Sequence, residues 1–207
     1  MNLTDPILIL GAGESGVGSA LLAKSLGARA HVSDAGEGRG PGTAELNAQG
    51  ISHELGGHRP ETWMDTEVVV KSPGIPDDAP IVDTCRAQGR EVISDIEYAS
   101  RVFVAQGHTT PVVAVTGANG KTTTTSMIDH VLRHEGWDVD CVGNIGTSWS
   151  RRLAERHEHG DGPAQATVIE VSSFQLDGTS TFRPDVAVLL NITPDHLDRY
   201  GHDMASY

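Results

Sequence analysis

The sequence predicts an α/β protein made of two successive units, each built on a parallel sheet. Two short apolar stretches, residues 7–10 and 112–115, have the length and composition of buried strands. Each is followed by a glycine-rich turn and then by a longer stretch with a helical pattern. A strand, a glycine turn and a helix in this order are typical of doubly wound sheets, in which helices cover both faces.

Composition and charge narrow the class of protein. The 207 residues carry a formal net charge of −13 without any run of Lys or Arg, so a general nucleic-acid binder is not expected. No apolar run approaches the roughly 18 residues of a membrane-spanning helix, and the first residues lack the basic start of a secretory signal. Two cysteines, Cys85 and Cys141, do not form a disulfide framework. These features predict a globular cytoplasmic protein with neither nucleic acid nor membrane as partner.

The first unit alternates strand and helix patterns up to a polar boundary. Strands are expected at residues 7–10, 28–33, 51–54, 68–70 and 91–93, and helices at 17–26, 43–49, 81–88 and 95–104. Either Ser94 or Asp95 is expected to cap the last helix. Residues 106–111 are polar and end in Pro111. The sequence therefore predicts a Rossmann-like, doubly wound domain at 1–106 and a second domain at 107–207.

A glycine turn in the first unit indicates a nucleotide site. Residues 11–16 form the pattern G-x-G-x-x-G directly after a strand, and Asp34 ends the next strand, 18 positions past Gly16. This arrangement is typical of dinucleotide-binding βαβ units. Two alternatives remain: the glycines serve only helix-on-strand packing, or the unit belongs to an NAD(P)-dependent oxidoreductase. A second turn, residues 72–74 (Ser-Pro-Gly), also follows a strand, where open α/β sheets bind ligands. Taken alone, this pattern favours an ordinary turn.

The second unit begins with a phosphate-binding pattern. Residues 116–122 read Thr-Gly-Ala-Asn-Gly-Lys-Thr between a strand and a helix. Glycines there allow backbone N–H groups to converge on phosphate oxygens, while Lys121 can reach the outer phosphates and Thr122 can bind Mg²⁺. The glycine that opens the longer P-loop pattern is replaced by Val115, so an ordinary strand–helix turn remains the alternative. The unit is predicted to be a P-loop-type α/β ATPase domain.

The remaining elements of the second unit carry polar groups at their ends. Strands are expected at 112–115, 139–142, 166–171 and 186–190, and helices at 121–135 and 147–159. Glu170 ends one strand, and Asp195 and His196 follow the last one. An acidic residue at such a strand end is positioned to bind a metal ion at the phosphates.

Four motifs in one order resemble the Mur ligase family of peptidoglycan synthesis. They are residues 116–123, 143–146 (Gly-Asn-Ile-Gly), 170–176 (Glu-Val-Ser-Ser-Phe-Gln-Leu) and 191–198 (Asn-Ile-Thr-Pro-Asp-His-Leu-Asp), preceded by the glycine turn and by Ser-Pro-Gly-Ile at 72–75. The resemblance is to the member that adds D-glutamate. It implies an ATP-dependent amide-bond ligase that joins D-glutamate to UDP-N-acetylmuramoyl-L-alanine through an acyl phosphate, with two Mg²⁺ ions.

The resemblance also assigns roles to residues. Lys121, Glu170 and His196 are implied in catalysis, and Thr122, Glu170 and His196 in metal binding. ATP binding is implied for Thr116, Gly117, Ala118, Asn119, Gly120, Lys121, Thr122 and Thr123. UDP-sugar binding is implied for Gly13, Glu14, Ser15, Gly16, Asp34, Ser72, Gly74, Asn144, Ser172 and Gln175.

One departure from the family pattern concerns activity. In the family a carbamylated lysine follows the Asp-His motif and helps to hold the second metal ion, whereas no lysine follows Lys121 here. The rest of the ATP domain and the C-terminal domain that receives D-glutamate in the family are also missing, so the chain is expected to be an N-terminal portion of such a ligase and to be inactive alone. It is also expected to be a monomer. A non-catalytic nucleotide-binding module is the remaining alternative.

Overall fold

The computed structural model of the chain describes residues 2–37, 41–63, 66–195 and 197–205. Over these ranges the chain forms two parallel sheets covered by helices, which confirms the predicted fold class. Within the same ranges, no helix is both long enough and apolar enough to cross a membrane.

The first sheet contains the strands β1 (Ile7–Leu10), β2 (Ala30–Asp34), β3 (Ser52–Leu55), β4 (Val68–Lys71) and β5 (Glu91–Ser94). Their order is β3-β2-β1-β4-β5, and every neighbouring pair is parallel. The helices of this unit are α1 (Glu14–Ser25), α2 (Pro41–Ala48), α3 (Pro80–Ala87) and α4 (Asp95–Ala105). β1 occupies the centre because all four of its residues are apolar and buried.

The second sheet contains β6 (Val112–Thr116), β7 (Val139–Gly143), β8 (Ala166–Glu170) and β9 (Val186–Leu189) in the parallel order β7-β8-β6-β9. Its helices are α5 (Lys121–His134), α6 (Trp149–His159) and the short α7 (Ser173–Leu176). Two 3₁₀ turns cover Pro60–Thr62 and Leu197–Tyr200. All nine predicted strands are thus confirmed to within two residues at each end.

The starts of α1, α2 and α6 differ from the prediction by two or three residues for local reasons. α6 begins at Trp149 because Ser148 caps it. α1 begins at Glu14, three residues early, because Gly13 adopts the extended conformation of an N-cap and Glu14 suits the first turn. α2 begins at Pro41, two residues before its predicted start, since proline is favoured at the first helical position. Helix α7 was not predicted, although its capping box between Ser172 and Gln175 follows the readable pattern S-x-x-Q.

The two sheets share one hydrophobic core. Trp149, at the start of α6, is 1% exposed and packs between Phe103 of α4 and Phe182, with ring centroids 5.5 and 6.2 Å away. Buried residues of both sheets, such as Ile9 and Ile169, belong to the same cluster. Because α4 packs against helices of both units, the domain boundary near residue 106 stays a prediction.

Polar contacts reinforce this junction where α1 meets α6. Arg151 donates to Glu14 of α1 at 2.8 Å and, through both terminal nitrogens, to Glu45 of α2. Gly18 of α1 packs closely against Ser148, which precedes α6, since a Cβ on Gly18 would lie 2.1 Å from the Ser148 hydroxyl. A partly buried arginine held by two carboxylates fixes orientation better than an exposed ion pair does.

Glu97 of α4 forms a second junction between the units. Its fully buried carboxylate accepts hydrogen bonds from the backbone N–H groups of Ser180, Thr181 and Phe182 at 2.9–3.1 Å, and from Arg101 at 2.8 Å. The Thr181 hydroxyl adds another at 2.6 Å. Burial alone would raise the pKa of Glu97, but the hydrogen bonds outweigh it and lower the pKa to about 2.

This arrangement predicts a specific loss of stability in acid. The folded-state pKa of Glu97 lies below its ordinary value of 4.5, so the stabilisation is complete above pH 4.5 and is lost as the pH falls towards 2. The expected loss is roughly 2–3 kcal/mol of unfolding free energy. Urea unfolding of the wild type and Glu97→Gln at several pH values measures it. The difference between the two curves should shrink over this window, and a constant difference would contradict the role assigned to Glu97.

Candidate active site

The register of the second sheet gathers four strand ends at one edge. Thr116 of β6 pairs with Leu189 of β9, its neighbour Val115 pairs with Glu170 of β8, and Glu170 pairs with Gly143 of β7. In a parallel sheet all these carboxyl ends point the same way, so the segments that follow them meet. A pocket of about 200 Å³ opens there, lined in part by Thr116, Lys121, Asn144, Ser172, Asn191 and Asp195.

The segment predicted to bind phosphate, residues 116–122 (the phosphate loop), lies at one side of this pocket. Gly117 and Gly120 have φ values of +135° and +87°, a region that favours glycine. Lys121 Nζ donates to the carbonyl oxygens of Gly117 and Ala118 at 2.6 and 3.0 Å, so the ammonium group lies over the loop. None of the described side chains caps the N-terminus of α5, which leaves its first N–H groups for an anion.

Asn191, the second residue past β9, braces the phosphate loop. Its backbone oxygen accepts from Ala118 N at 3.1 Å, and its side-chain oxygen accepts from Asn119 N at 3.0 Å. Its amide nitrogen donates to the Asn119 oxygen at 2.9 Å. Two of the loop's N–H groups are therefore used internally, which makes the amides from Gly120 onward the better phosphate donors.

Glu170 provides the best candidate ligand for a metal ion. One carboxylate oxygen, Oε1, accepts from Asn144 Nδ2 at 3.1 Å. The other, Oε2, is buried, and none of the described residues donates a hydrogen bond to it. A buried carboxylate oxygen without a partner is costly unless a cation or proton approaches it. With a hydroxyl ligand available from Thr122, which follows the loop in sequence, the oxygen-rich donor set fits Mg²⁺.

The glycine turn of the first sheet forms a second candidate site. Gly16 packs so closely that a Cβ would lie 1.9 Å from the Gly11 oxygen, whereas a Cβ on Gly13 would meet no described residue within 4 Å. The buried Ser72 hydroxyl lies directly under the turn and has no hydrogen-bond partner among the described residues. The open side of the turn at Gly13 is therefore where a ligand can approach the backbone.

Asp34 braces this turn. One carboxylate oxygen accepts from Ala12 N and the other from Gly36 N, both at 2.6 Å. In dinucleotide-binding units the corresponding acid is free to bond a ribose hydroxyl. Here both oxygens already have backbone partners, so Asp34 shapes the turn, and its contact with a ligand stays a prediction.

Several other predicted site residues have protein partners. The Glu14 carboxylate bonds to Ser148 and Arg151, as part of the junction between the units. Gln175 is fully buried, and its amide bonds to Asp95 and Ser172. The structure thus gives both side chains a supporting position, and their contact with a substrate stays a prediction. His196 lies outside the described residues.

Sequence reasoning missed the residues that support the site from a distance. The sequence indicates only a possible helix cap at Asp95, an acidic residue in the first helical turn at Glu97 and the start of a motif at Asn191. Their partners lie 72 to 85 positions away in the chain, so local patterns carry no signal for them. For Asn191 only its place just past a strand end could have indicated a loop contact.

Comparisons with known proteins agree with this architecture. Residues 5–94 match the family model of the Mur ligase MurD-like N-terminal domain, and residues 115–207 match that of the Mur ligase middle domain. The UDP-N-acetylmuramoylalanine–D-glutamate ligase of Bacteroides fragilis is 47% identical over 97% of this chain and 43% of the relative. That of Cytophaga hutchinsonii is 48% identical over 99% of this chain and 44% of the relative. The chain therefore spans less than half the length of these relatives.

Solved structures show the same likeness. The UDP-N-acetylmuramate–alanine ligase of Thermotoga maritima aligns with a TM-score of 0.60 and 26% identity, over 98% of this chain and 45% of that one. The UDP-N-acetylmuramate:L-alanyl-gamma-D-glutamyl-meso-diaminopimelate ligase of Neisseria meningitides aligns with a TM-score of 0.61 and 25% identity, over 94% and 63%. With both family models matched in order along its two sheets, this chain belongs to the Mur ligase family.

Proposed function

We propose that this chain supplies the UDP-sugar site and part of the ATP site of a ligase that adds D-glutamate to UDP-N-acetylmuramoyl-L-alanine. The observation that carries the proposal is the Glu170 oxygen beside the phosphate loop, at the edge where four strand ends meet, which is buried and has no partner among the described residues. Relatives that bear this activity in their names support it. The activity itself is proposed for the whole ligase, and nucleotide binding for this chain.

The proposed reaction activates a carboxylate. The alanine carboxylate of the substrate attacks the γ-phosphorus of ATP, and the bond to the β–γ bridging oxygen breaks, giving an acyl phosphate and ADP. The amine of D-glutamate then attacks the acyl carbon, loses a proton and displaces phosphate. The first step brings two anions together, so it depends on positive charge fixed at the transferred group.

The chain's own residues would provide that charge and hold the reactants. Lys121 and the N–H groups at the start of α5 would bind the β- and γ-phosphates. Glu170 and Thr122 would hold Mg²⁺, and Asn144 would orient the Glu170 carboxylate. When bound, the metal ion would neutralise charge on the phosphate oxygens. His196 would serve a second Mg²⁺ in the whole ligase.

The first sheet would hold the nucleotide end of the UDP-sugar. Its diphosphate would approach the open backbone at Gly13, with Ser72 beneath the turn and Gly74 beside it. The proposal places this work in the cytoplasm, and the free thiols of Cys85 and Cys141 are compatible with a reducing compartment. An NAD(P)-dependent oxidoreductase is a weaker candidate, because both Asp34 oxygens already accept a backbone hydrogen bond and the phosphate loop would have no role.

Gly13→Val tests the UDP-sugar site without disturbing the fold. Space around a Cβ at Gly13 is open, and its φ of −79° suits any residue, so the variant should unfold at the wild-type temperature. The valine side chain would occupy the approach to the backbone, and the affinity for UDP-N-acetylmuramoyl-L-alanine should fall by at least about 30-fold, or roughly 2 kcal/mol. Calorimetric titration measures the change.

Gly162→Ala is the matched control for general effects of altering a glycine, because Gly162 lies in the second unit, its φ is outside the region that favours glycine, and no described residue lies within 4 Å of a Cβ there. It should bind the UDP-sugar as the wild type does. Unchanged affinity in a folded Gly13→Val protein would remove the glycine turn from substrate binding.

A further inference from the structure

A buried carboxylate joins the two candidate sites. Asp95, the first residue of α4, is 2% exposed. Gln175 Nε2 donates to its two oxygens at 3.2 and 3.0 Å, and the Ser15 hydroxyl also hydrogen-bonds to it. Ser15 belongs to the glycine turn of the first sheet, whereas Gln175 follows β8 in the second. Asp95 therefore touches one residue from each site.

The contact continues from Gln175 to Ser172. Gln175 Oε1 accepts from the backbone N–H and the hydroxyl of Ser172 at 3.1 and 3.2 Å, while Gln175 N donates to the Ser172 hydroxyl at 3.3 Å. This capping box sets the first turn of α7, two residues past Glu170. The amide of Gln175 is thus fixed in one orientation, with its nitrogen towards Asp95 and its oxygen towards Ser172.

The free-energy cost of burying the Asp95 carboxylate indicates a role beyond packing. Burial raises the pKa of Asp95 above its ordinary range, against hydrogen bonds from Ser15, Gln175 and the backbone. Replacing a buried polar group by an apolar one of similar size is often neutral or stabilising. A carboxylate at this position is useful where it must hold two separate polar segments in one fixed relation.

We propose that Asp95 is a positioning residue that holds the Ser172–Gln175 cap against the glycine turn, so that one elongated ligand can contact both sites. This rests on the proposed function, in which the uridine diphosphate binds the turn and the muramoyl-alanine end extends towards Ser172. Free UDP would touch only the first site. Loss of Asp95 should therefore weaken the long ligand and spare the short one.

Asp95→Asn is the variant that separates the two ligands. Gln175 Nε2 lies near both carboxylate oxygens, so in either orientation the nitrogen of the introduced amide would face Gln175 Nε2, and two N–H donors would meet. Rotating the Gln175 amide by 180° would relieve this contact but would break its bonds to Ser172. An oxygen remains for Ser15. Affinity for UDP-N-acetylmuramoyl-L-alanine should fall by about 10-fold or more, while that for UDP should change by less than about twofold.

The swap Asp95→Asn/Gln175→Glu provides the matched rescue. The amide introduced at position 95 would donate to one oxygen of the carboxylate introduced at position 175. The other oxygen of that carboxylate would accept from Ser172, and the total charge is unchanged. Gln175→Glu alone would place two buried carboxylates about 3 Å apart, and it should be the weakest binder of the four proteins. The swap should restore affinity for the long ligand to within about threefold of the wild type.

Calorimetry with both ligands and amide hydrogen exchange at Leu176 and Asp177 complete the test. These two amides bond within the cap, so their exchange should speed up in Asp95→Asn and return to the wild-type rate in the swap. Equal weakening of both ligands, or a swap as weak as Asp95→Asn, would overturn the proposal. If the wild type binds neither ligand, the proposed function fails. The exchange rates then decide whether Asp95 positions the cap, and unchanged rates would refute it.

Discussion

Replacing Gly143 with alanine is expected to destroy the candidate metal site and to destabilise the chain by roughly 3–5 kcal/mol. A Cβ at this position would lie 2.1 Å from the Glu170 backbone oxygen and 2.9 Å from its nitrogen, and the φ of +120° is itself unfavourable for alanine. The methyl group has only backbone around it, so β7 and β8 must separate. Glu170 would move away from the phosphate loop.

Gly146→Ala is the control in the same turn. Gly146 also has a positive φ, +74°, but nothing lies within 4 Å of a Cβ there. Its cost should be limited to backbone strain of about 1–2 kcal/mol. Urea unfolding of both variants, together with Mg²⁺-dependent binding of a non-hydrolysable ATP analogue, compares them. Similar losses in the two variants would show that the contact between Gly143 and Glu170 does not organise the site.

Lys121→Ala is expected to give the largest loss of nucleotide binding. The ammonium group lies over the loop carbonyls of Gly117 and Ala118, so its removal takes away the positive charge nearest the anion position. Affinity for the Mg²⁺ complex of the ATP analogue should fall by at least about 30-fold, since a charge-assisted hydrogen bond is worth roughly 2–3 kcal/mol. Binding of the UDP-sugar, assigned to the other sheet, should be unchanged.

Lys24→Ala removes the same charge from the exposed end of α1, where the lysine bonds to Gln49 and to no other described residue. This variant should bind both ligands normally. Added Mg²⁺ should partly rescue Thr122→Ala, which acts through the metal ion, and should not rescue Lys121→Ala. Wild-type affinity in Lys121→Ala would return the loop to the status of a structural turn.

The fold was predictable from sequence because its strands are short, apolar and punctuated by glycine. The apolar pattern of the sequence identifies β1 and β6 clearly, because each is fully or largely buried and leads into a glycine turn. The phosphate loop and Glu170 were predictable for the same reason, as both sit next to strands that the apolar pattern identifies. Local chemistry determines which residues reach the carboxyl edge of each sheet.

The relation between the two units was not predictable in this way. Trp149 reads in the sequence as part of an amphipathic helix, yet it fills the core that both sheets share. The family resemblance implies UDP-sugar binding for Gln175, but nothing in the local sequence indicates that Asp95, 80 positions earlier, holds its amide. Such contacts depend on how the two sheets pack against each other, which the periodicity of apolar residues in the sequence does not determine. The residues proposed to carry chemistry could be identified from the sequence, whereas those that hold them in place could not.

The most direct test of the central claim is an amide NMR titration of this chain with UDP-N-acetylmuramoyl-L-alanine, with NADH as the competing ligand. The account predicts saturable shifts for residues 11–16, 72–75 and 143–144 with the UDP-sugar, and none with NADH. Shifts at the glycine turn with NADH alone would contradict it and favour an oxidoreductase. Absence of any shift at the turn with the UDP-sugar would likewise contradict the assignment of the first sheet to the nucleotide.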